Sequence, residues 1–220
     1  MELISVQRAR TVWLSETGDM NPRGQSIGKE LIDWLAESYH FAKVPSSILD
    51  LEKDSNALAF LSGQFKAREE FVAVELRMYR DGFVADTRSS TEDADAFLRD
   101  ALDSAVKKFG LTFRPEMIRK ILYLSELIVR CNRSISDLNP KLKSFSEKIS
   151  SLAGMQSHPL FDVFGIAFWH DPQISSKVAQ FRFERRANTP ASENMYYSVA
   201  PLKTADHLSI LNELEKILSA

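Results

Sequence analysis

From Glu2 to Leu14, β-branched and apolar residues alternate with polar ones, a period of two that predicts a strand. Asp19-Met20-Asn21-Pro22-Arg23-Gly24 is a turn, after which Ile27, Leu31, Trp34 and Leu35 recur at helical spacing. A helix is predicted there to about Phe41, broken by Pro45-Ser46-Ser47. Ala57 to Phe65 reads as a strand. Phe71 to Tyr79 alternates with Val72, Val74, Leu76 and Met78 on one face, and Asp81-Gly82 separates it from Phe83-Val84-Ala85. Asp-Gly between two apolar-rich runs predicts a type I′ hairpin, in which both central residues take positive φ.

Ser90-Thr91-Glu92-Asp93 supplies a hydroxyl N-cap and an acidic first turn, and Ala94, Phe97, Leu98, Ala101, Leu102, Ala105 and Phe109 form a stripe closed by Gly110 at C′. Residues 118–131 fit either period. Leu138, Leu142, Phe145, Ile149 and Leu152 predict the inner face of a helix ending at Gly154. Strands are predicted at Phe161–Trp169, Val178–Arg185 and Met195–Val199. Thr204 is the expected cap of a last helix with Leu208, Leu211, Leu214 and Leu218 inside.

Asp19-Met20-Asn21-Pro22-Arg23 and Asp137-Leu138-Asn139-Pro140-Lys141 both read Asp-apolar-Asn-Pro-basic, 118 residues apart. At that offset Leu3 meets Ile121, Val6 meets Leu124 and Leu31 meets Ile149, so the segment 120–132 should be a strand, as 2–14 is. Thr91-Glu92-Asp93 aligns with Thr204-Ala205-Asp206 at the shorter offset of 113. Two unrelated helix starts sharing good capping chemistry would give the Asn-Pro match alone; the shared element order favours duplication. The expected fold class is α+β, a tandem duplication of a strand–helix–(three or four strands)–helix unit. Antiparallel sheets carry helices on one face, with pseudo-two-fold symmetry. Residues 1–116 and 117–220 are the expected repeats of one compact pseudo-dimeric unit. In element order alone this unit resembles that of the TATA-box-binding protein and related helix-on-sheet folds.

Composition narrows the functional classes. Lys+Arg 28 against Asp+Glu 30 gives a formal charge of −2, without the excess of basic residues typical of nucleic-acid binders. The only cysteine, Cys131, leaves no intramolecular disulfide. Neighbouring Arg130 and Arg133 would lower the pKa of an activated thiol, but a buried or bystander thiol is the expected reading. The N-terminal residues lack the basic and apolar regions of a signal peptide, and no apolar run is long enough to span a bilayer. A soluble, cytoplasmic protein is expected.

No linear catalytic signature emerges. Neither a Walker A nor a G-x-G-x-x-G motif exists. His40, His158, His170 and His207 do not pair at i+3 or i+4, so no metal and no cofactor are expected. Asp50 or Asp54 with Glu75 would suit a metal-dependent nuclease only if Arg77 could replace the usual lysine. Glu75 with Arg77, and Arg182 with Glu184, should lie on the sheet face away from the helices, either as solvated cross-strand charge pairs or as a recognition surface. Arg182, Arg185 and Arg186, joined by Arg130 and Arg133, are the candidate partner or phosphate contacts. Phe168, Trp169, Tyr196 and Tyr197 are a candidate apolar partner surface, beside Phe161 and Phe164.

The expectation is a non-enzymatic binding protein, an accessory or adaptor subunit of an intracellular protein assembly, with self-association open. The alternatives are a nucleic-acid-engaging saddle and a hydrolase whose site is assembled from distant residues.

Overall fold

A computed structural model of the protein describes residues 1–24, 26–46, 57–153, 161–171, 173 and 179–219. The chain runs β1 (Glu2–Leu14), α1 (Gly28–Tyr39), β2 (Ala57–Ala67), β3 (Glu70–Tyr79), β4 (Gly82–Thr87), α2 (Thr91–Phe109), β5 (Lys120–Arg130), α3 (Pro140–Leu152), β6 (Gly165–Phe168), β7 (Phe181–Arg185), β8 (Met195–Ala200) and α4 (Thr204–Ser219). The fold is mixed α+β, with an eight-stranded antiparallel sheet in the order β2-β3-β4-β1-β5-β8-β7-β6. The ambiguous segment after residue 118 is a strand, as the offset required. Two units divide the chain: Arg8–Ser125 with Leu202–Thr204, and Met1–Gln7 with Glu126–Pro201 and Ala205–Ala220. They are termed the first and second unit.

In the first unit, alternation turns one face of each strand inward. Ala9, Thr11 and Trp13 of β1, Val74 and Leu76 of β3, and Phe83, Ala85 and Thr87 of β4 are buried. α1 covers this face with Ile32, Leu35 and Tyr39, and α2 with Ala94, Phe97, Leu98 and Ala101. Phe97 is fully buried and meets Tyr39 edge-on at 5.0 Å. Ser90 caps α2 by accepting from the Asp93 N–H at 3.0 Å, and Gly110 ends it at φ 63°.

The β3–β4 hairpin forms where Asp81-Gly82 placed it, with a different turn. Tyr79 pairs with Gly82, leaving Arg80 and Asp81 as the loop, and only Gly82 has positive φ, at 154°. A β-carbon there would lie 2.2 Å from the Trp13 carbonyl oxygen, so the strand crossing, rather than a type I′ turn, requires the glycine.

The repeated Asp-x-Asn-Pro sequences form the same local structure twice. Thr17–Met20 and Ile135–Leu138 are 3-10 turns containing Asp19 and Asp137, followed by Asn21 and Asn139. Beyond them the two differ. Asn139 caps α3 directly, its side chain accepting from Lys141 N–H at 3.0 Å with Pro140 in the first turn. Asn21 does not cap α1: Pro22 to Ile27 intervene, and Ile27 is the N-cap residue. Asn139→Ala is accordingly expected to cost about 0.5–1 kcal/mol, read as a lower urea midpoint.

Thr204 also departs from expectation. It is the first residue of α4, and its hydroxyl accepts from the backbone N–H of Thr91 at 3.0 Å. The Thr204 N–H in turn donates to the Thr91 hydroxyl at 2.8 Å. Each threonine satisfies an N–H that the first turn of a helix leaves without an intrahelical partner.

The second unit has its own core of Leu127, Val129, Cys131, Ile135, Phe183, Tyr196, Leu211 and Leu218. β6 is shorter than the strand expected over Phe161–Trp169, and Val178 and Gly154 lie outside the described residues. The largest correction concerns α3. Its predicted inner stripe faces outward, with Leu142, Phe145 and Leu152 exposed, the last at 80 %. Ser146 and Ser150 are the buried positions, and the Ser150 hydroxyl accepts from Phe161 N–H at 3.2 Å.

Candidate functional site

On the face of the first unit away from α1 and α2, charges are paired across strands. Arg10 of β1 donates to both carboxylate oxygens of Asp86 on β4, at 2.7 and 2.8 Å. Arg77 of β3 reaches Asp86 at 2.7 Å and Glu75 at 2.9 Å. Glu75 and Asp86 are directly opposed in register, so the two guanidinium groups offset what would otherwise be like-charge repulsion. Both arginines are about 30 % exposed, and their donors point along the sheet at carboxylates. Arg77 therefore has a charge-pairing role at this face. Asp50 and Asp54 lie outside the described residues, and among the described residues no group of three or more His, Cys, Asp or Glu could hold a metal ion.

The basic cluster of the second unit is divided by the alternation of β7. Phe181, Phe183 and Arg185 share one face, while Arg182 and Glu184 share the other. Arg185 is held entirely by its own chain. It donates to Asp162 at 2.9 Å, to the Ser134 hydroxyl at 3.0 Å, and to the carbonyls of Ala191 and Val163 at 3.0 and 3.3 Å. Its guanidinium also lies 5.8 Å from the Tyr196 ring centroid. Burial alone would raise the Asp162 pKa. Hydrogen bonds from Ser136 and the Val163 N–H, together with the Arg185 charge, outweigh it and hold the carboxyl below its ordinary range. Of the other candidates, Arg130 pairs with Glu2 at 3.0 Å, Arg182 lies 3.9 Å from Glu184, and Arg133 and Arg186 are exposed.

The four aromatic candidates also separate. Phe168 and Trp169 are each 65 % exposed. Tyr196 is buried, stacked on Phe183 at 4.3 Å, with its hydroxyl accepting from Ile135 N–H at 2.9 Å. Tyr197 donates to Glu126 at 2.8 Å. Sequence reasoning placed the exposed α3 residues Leu142, Phe145 and Leu152 inside. Phe161 and Phe164 are exposed too. The signal for α3 was present in Ser146 and Ser150, four residues apart, a small polar stripe suited to a close approach of backbone.

A buried Ser198–His207 pair went unnoticed in the sequence, although His207 precedes Leu211 by one helical repeat and so shares the inner stripe of α4. The Ser198 hydroxyl donates to the Arg182 carbonyl at 2.9 Å, so its lone pair accepts from His207 Nε2–H at 2.8 Å. That direction is opposite to the one a serine nucleophile needs, and both residues are fully buried. Desolvation pushes the imidazole pKa down to about 4. Cys131 is buried as well, and burial raises its thiol pKa, in line with a bystander thiol and not one activated by Arg130 and Arg133. The remaining histidines form no constellation: His40 ends α1 at φ 52°, His170 lies beside Trp169, and His158 is outside the described residues.

Among the described residues no helix is long and apolar enough to cross a membrane. No protein-family model matches the chain, and no curated protein is significantly similar to it.

Proposed function

We propose that the protein is a non-enzymatic binding protein, an accessory or adaptor subunit of a larger cytoplasmic assembly, and that its second unit carries the docking surface for a protein partner. The observation behind this reading is the set of large apolar side chains left exposed there: Leu142, Phe145 and Leu152 on α3, with Phe164, Phe168 and Trp169 about β6. Large apolar side chains gain most from being removed from water by a partner.

The chain is read as a tandem duplication with a pseudo-two-fold. Supporting this are the series strand, 3-10 turn, helix, three strands, helix occurring twice, and the equivalent turns 118 residues apart. The reciprocal Thr91–Thr204 bonds have the same character. In this reading α3 is the counterpart of α1, whose Ile32, Leu35 and Tyr39 are buried. A partner then supplies to the second unit the apolar cover that α1 gives the first.

The test combines light scattering with capture. The purified chain is first examined for self-association. A tagged form is then used to capture partners at physiological salt, with and without nuclease, beside Phe145→Asp/Phe168→Ser and a control, Phe71→Ser, altering an exposed residue of the first unit. A stoichiometric protein that survives nuclease, is retained by the control and is lost with the double variant is expected. Equal capture by all three forms, or partners lost only after nuclease, overturns the reading; the latter result favours nucleic acid.

A further inference from the structure

We infer that the first unit is a receptor for a small uncharged apolar molecule, held between α1, α2 and strands β2–β4. A cavity of about 210 Å³ lies there, bounded by Leu31 and Leu35 of α1, Leu58 and Leu76 of the sheet, and Ala101 and Ala105 of α2. The cavity is partly open to solvent, an apolar recess at the edge of the close-packed core, and not a sealed void within it. An apolar cavity of about 150 Å³ stays dry and accepts benzene, so this one has room for about 8–10 non-hydrogen atoms.

Side-chain size along α2 leaves the space open. The stripe that fills the core with Phe97 and Leu98 continues as Ala101 and Ala105, both buried and both lining the cavity. A larger side chain at either position would take up part of it.

The lining defines the ligand class. Among the described residues no Lys, Arg, His, Asp or Glu contributes to it, so neither an anion nor a cation would find a counter-charge there after losing its hydration. Its polar members are Thr17, Asn21 and Tyr79. The Thr17 N–H and hydroxyl both donate to the Arg80 carbonyl, at 3.0 and 2.9 Å, fixing this residue against the hairpin beside Tyr79. With its proton so directed, the Thr17 oxygen is left as an acceptor at the solvent-exposed end of the lining. A ligand with one hydroxyl donor on a small ring or branched hydrocarbon matches this wall, as in a neutral alkylphenol or a medium-chain alcohol.

The test uses 4-propylphenol as the neutral probe and 4-propylbenzoate as its charged analogue, titrated calorimetrically into the full chain. Saturable binding of the phenol with a rise in Tm is expected, with the benzoate at least tenfold weaker. Ala101→Leu is expected to reduce phenol affinity at least tenfold without lowering the Tm of the free protein. If that variant is overpacked and fails to fold, Ala105→Val provides the same reading. Xenon, followed by its NMR shift, gives a second measure of accessible apolar volume. Absence of saturable binding of both phenol and xenon, equal affinity for phenol and benzoate, or phenol binding unchanged by filling the cavity overturns the inference.

Discussion

Arg185→Met is expected to lower the unfolding free energy by about 3 kcal/mol, measured in urea, while Arg182→Met changes it by less than about 0.5 kcal/mol. The two arginines are three residues apart and were grouped in sequence as partner contacts, yet β7 sends them to opposite faces. Arg185 bridges the Ser134–Ser136 turn, the Asp162–Val163 segment and Ala191, with partners at 2.9–3.3 Å. Methionine retains much of the apolar stem over Tyr196 and removes every one of these bonds. Ser136, whose hydroxyl is 2.5 Å from Asp162, and the carboxylate itself then remain without the cation between them. A hydrogen bond to a charged group contributes about 1.5–3 kcal/mol, and Asp162 is exposed enough for water to recover part of the loss. Arg185→Lys should restore under half of it, because an ammonium cannot address three directions with a planar fork. If Arg185 were instead a phosphate or partner contact, its removal would weaken binding and leave the urea midpoint unchanged.

The sequence made β1 legible to its last residue because its C-terminal half alternates over the first unit's core, with Ala9, Thr11 and Trp13 buried. β5 became legible only through the 118-residue offset, since Ile121, Tyr123, Leu127 and Val129 suit a strand while Ile118, Ile121, Leu122 and Ser125 suit a helix. Periodicity showed that α3 has an apolar stripe; it could not show whether the fold covers that stripe. Leu142, Phe145 and Leu152 therefore have helical spacing and an unexpected exposure. The Arg185 hub was hidden for a different reason. Its partners come from positions 134, 136, 162, 163 and 191, and no local pattern links such separations. The cavity likewise appears in sequence only as two alanines where a stripe could have carried larger residues. Local chemistry reported the elements, and the placement of polar groups depended on tertiary contacts.

A second large effect is expected on acidification. Between pH 7.5 and pH 5 the protein should lose about 2 kcal/mol of stability through His207 alone, as its pKa is about 4 when folded and near 6.5 when unfolded. The folded state favours the neutral imidazole, buried against Phe181 and donating to Ser198. Its contribution is therefore complete above pH 6.5 and is progressively lost as pH falls toward 4, where protonation drives unfolding. Asp162 and Glu215 act in a lower window. Their pKa values are depressed, so their contribution is present above the ordinary carboxylate range and is lost only as pH falls below it. Urea unfolding at pH 7.5, 6 and 5 separates the two sets. His207→Gln keeps an N–H donor for Ser198 and has no titration in this range, so its stability should be nearly flat from pH 7.5 to pH 5. A His207→Gln protein that retained the full wild-type slope would place the titrating group elsewhere, and the buried Ser198–His207 pair would then be a packing feature without linkage to protons.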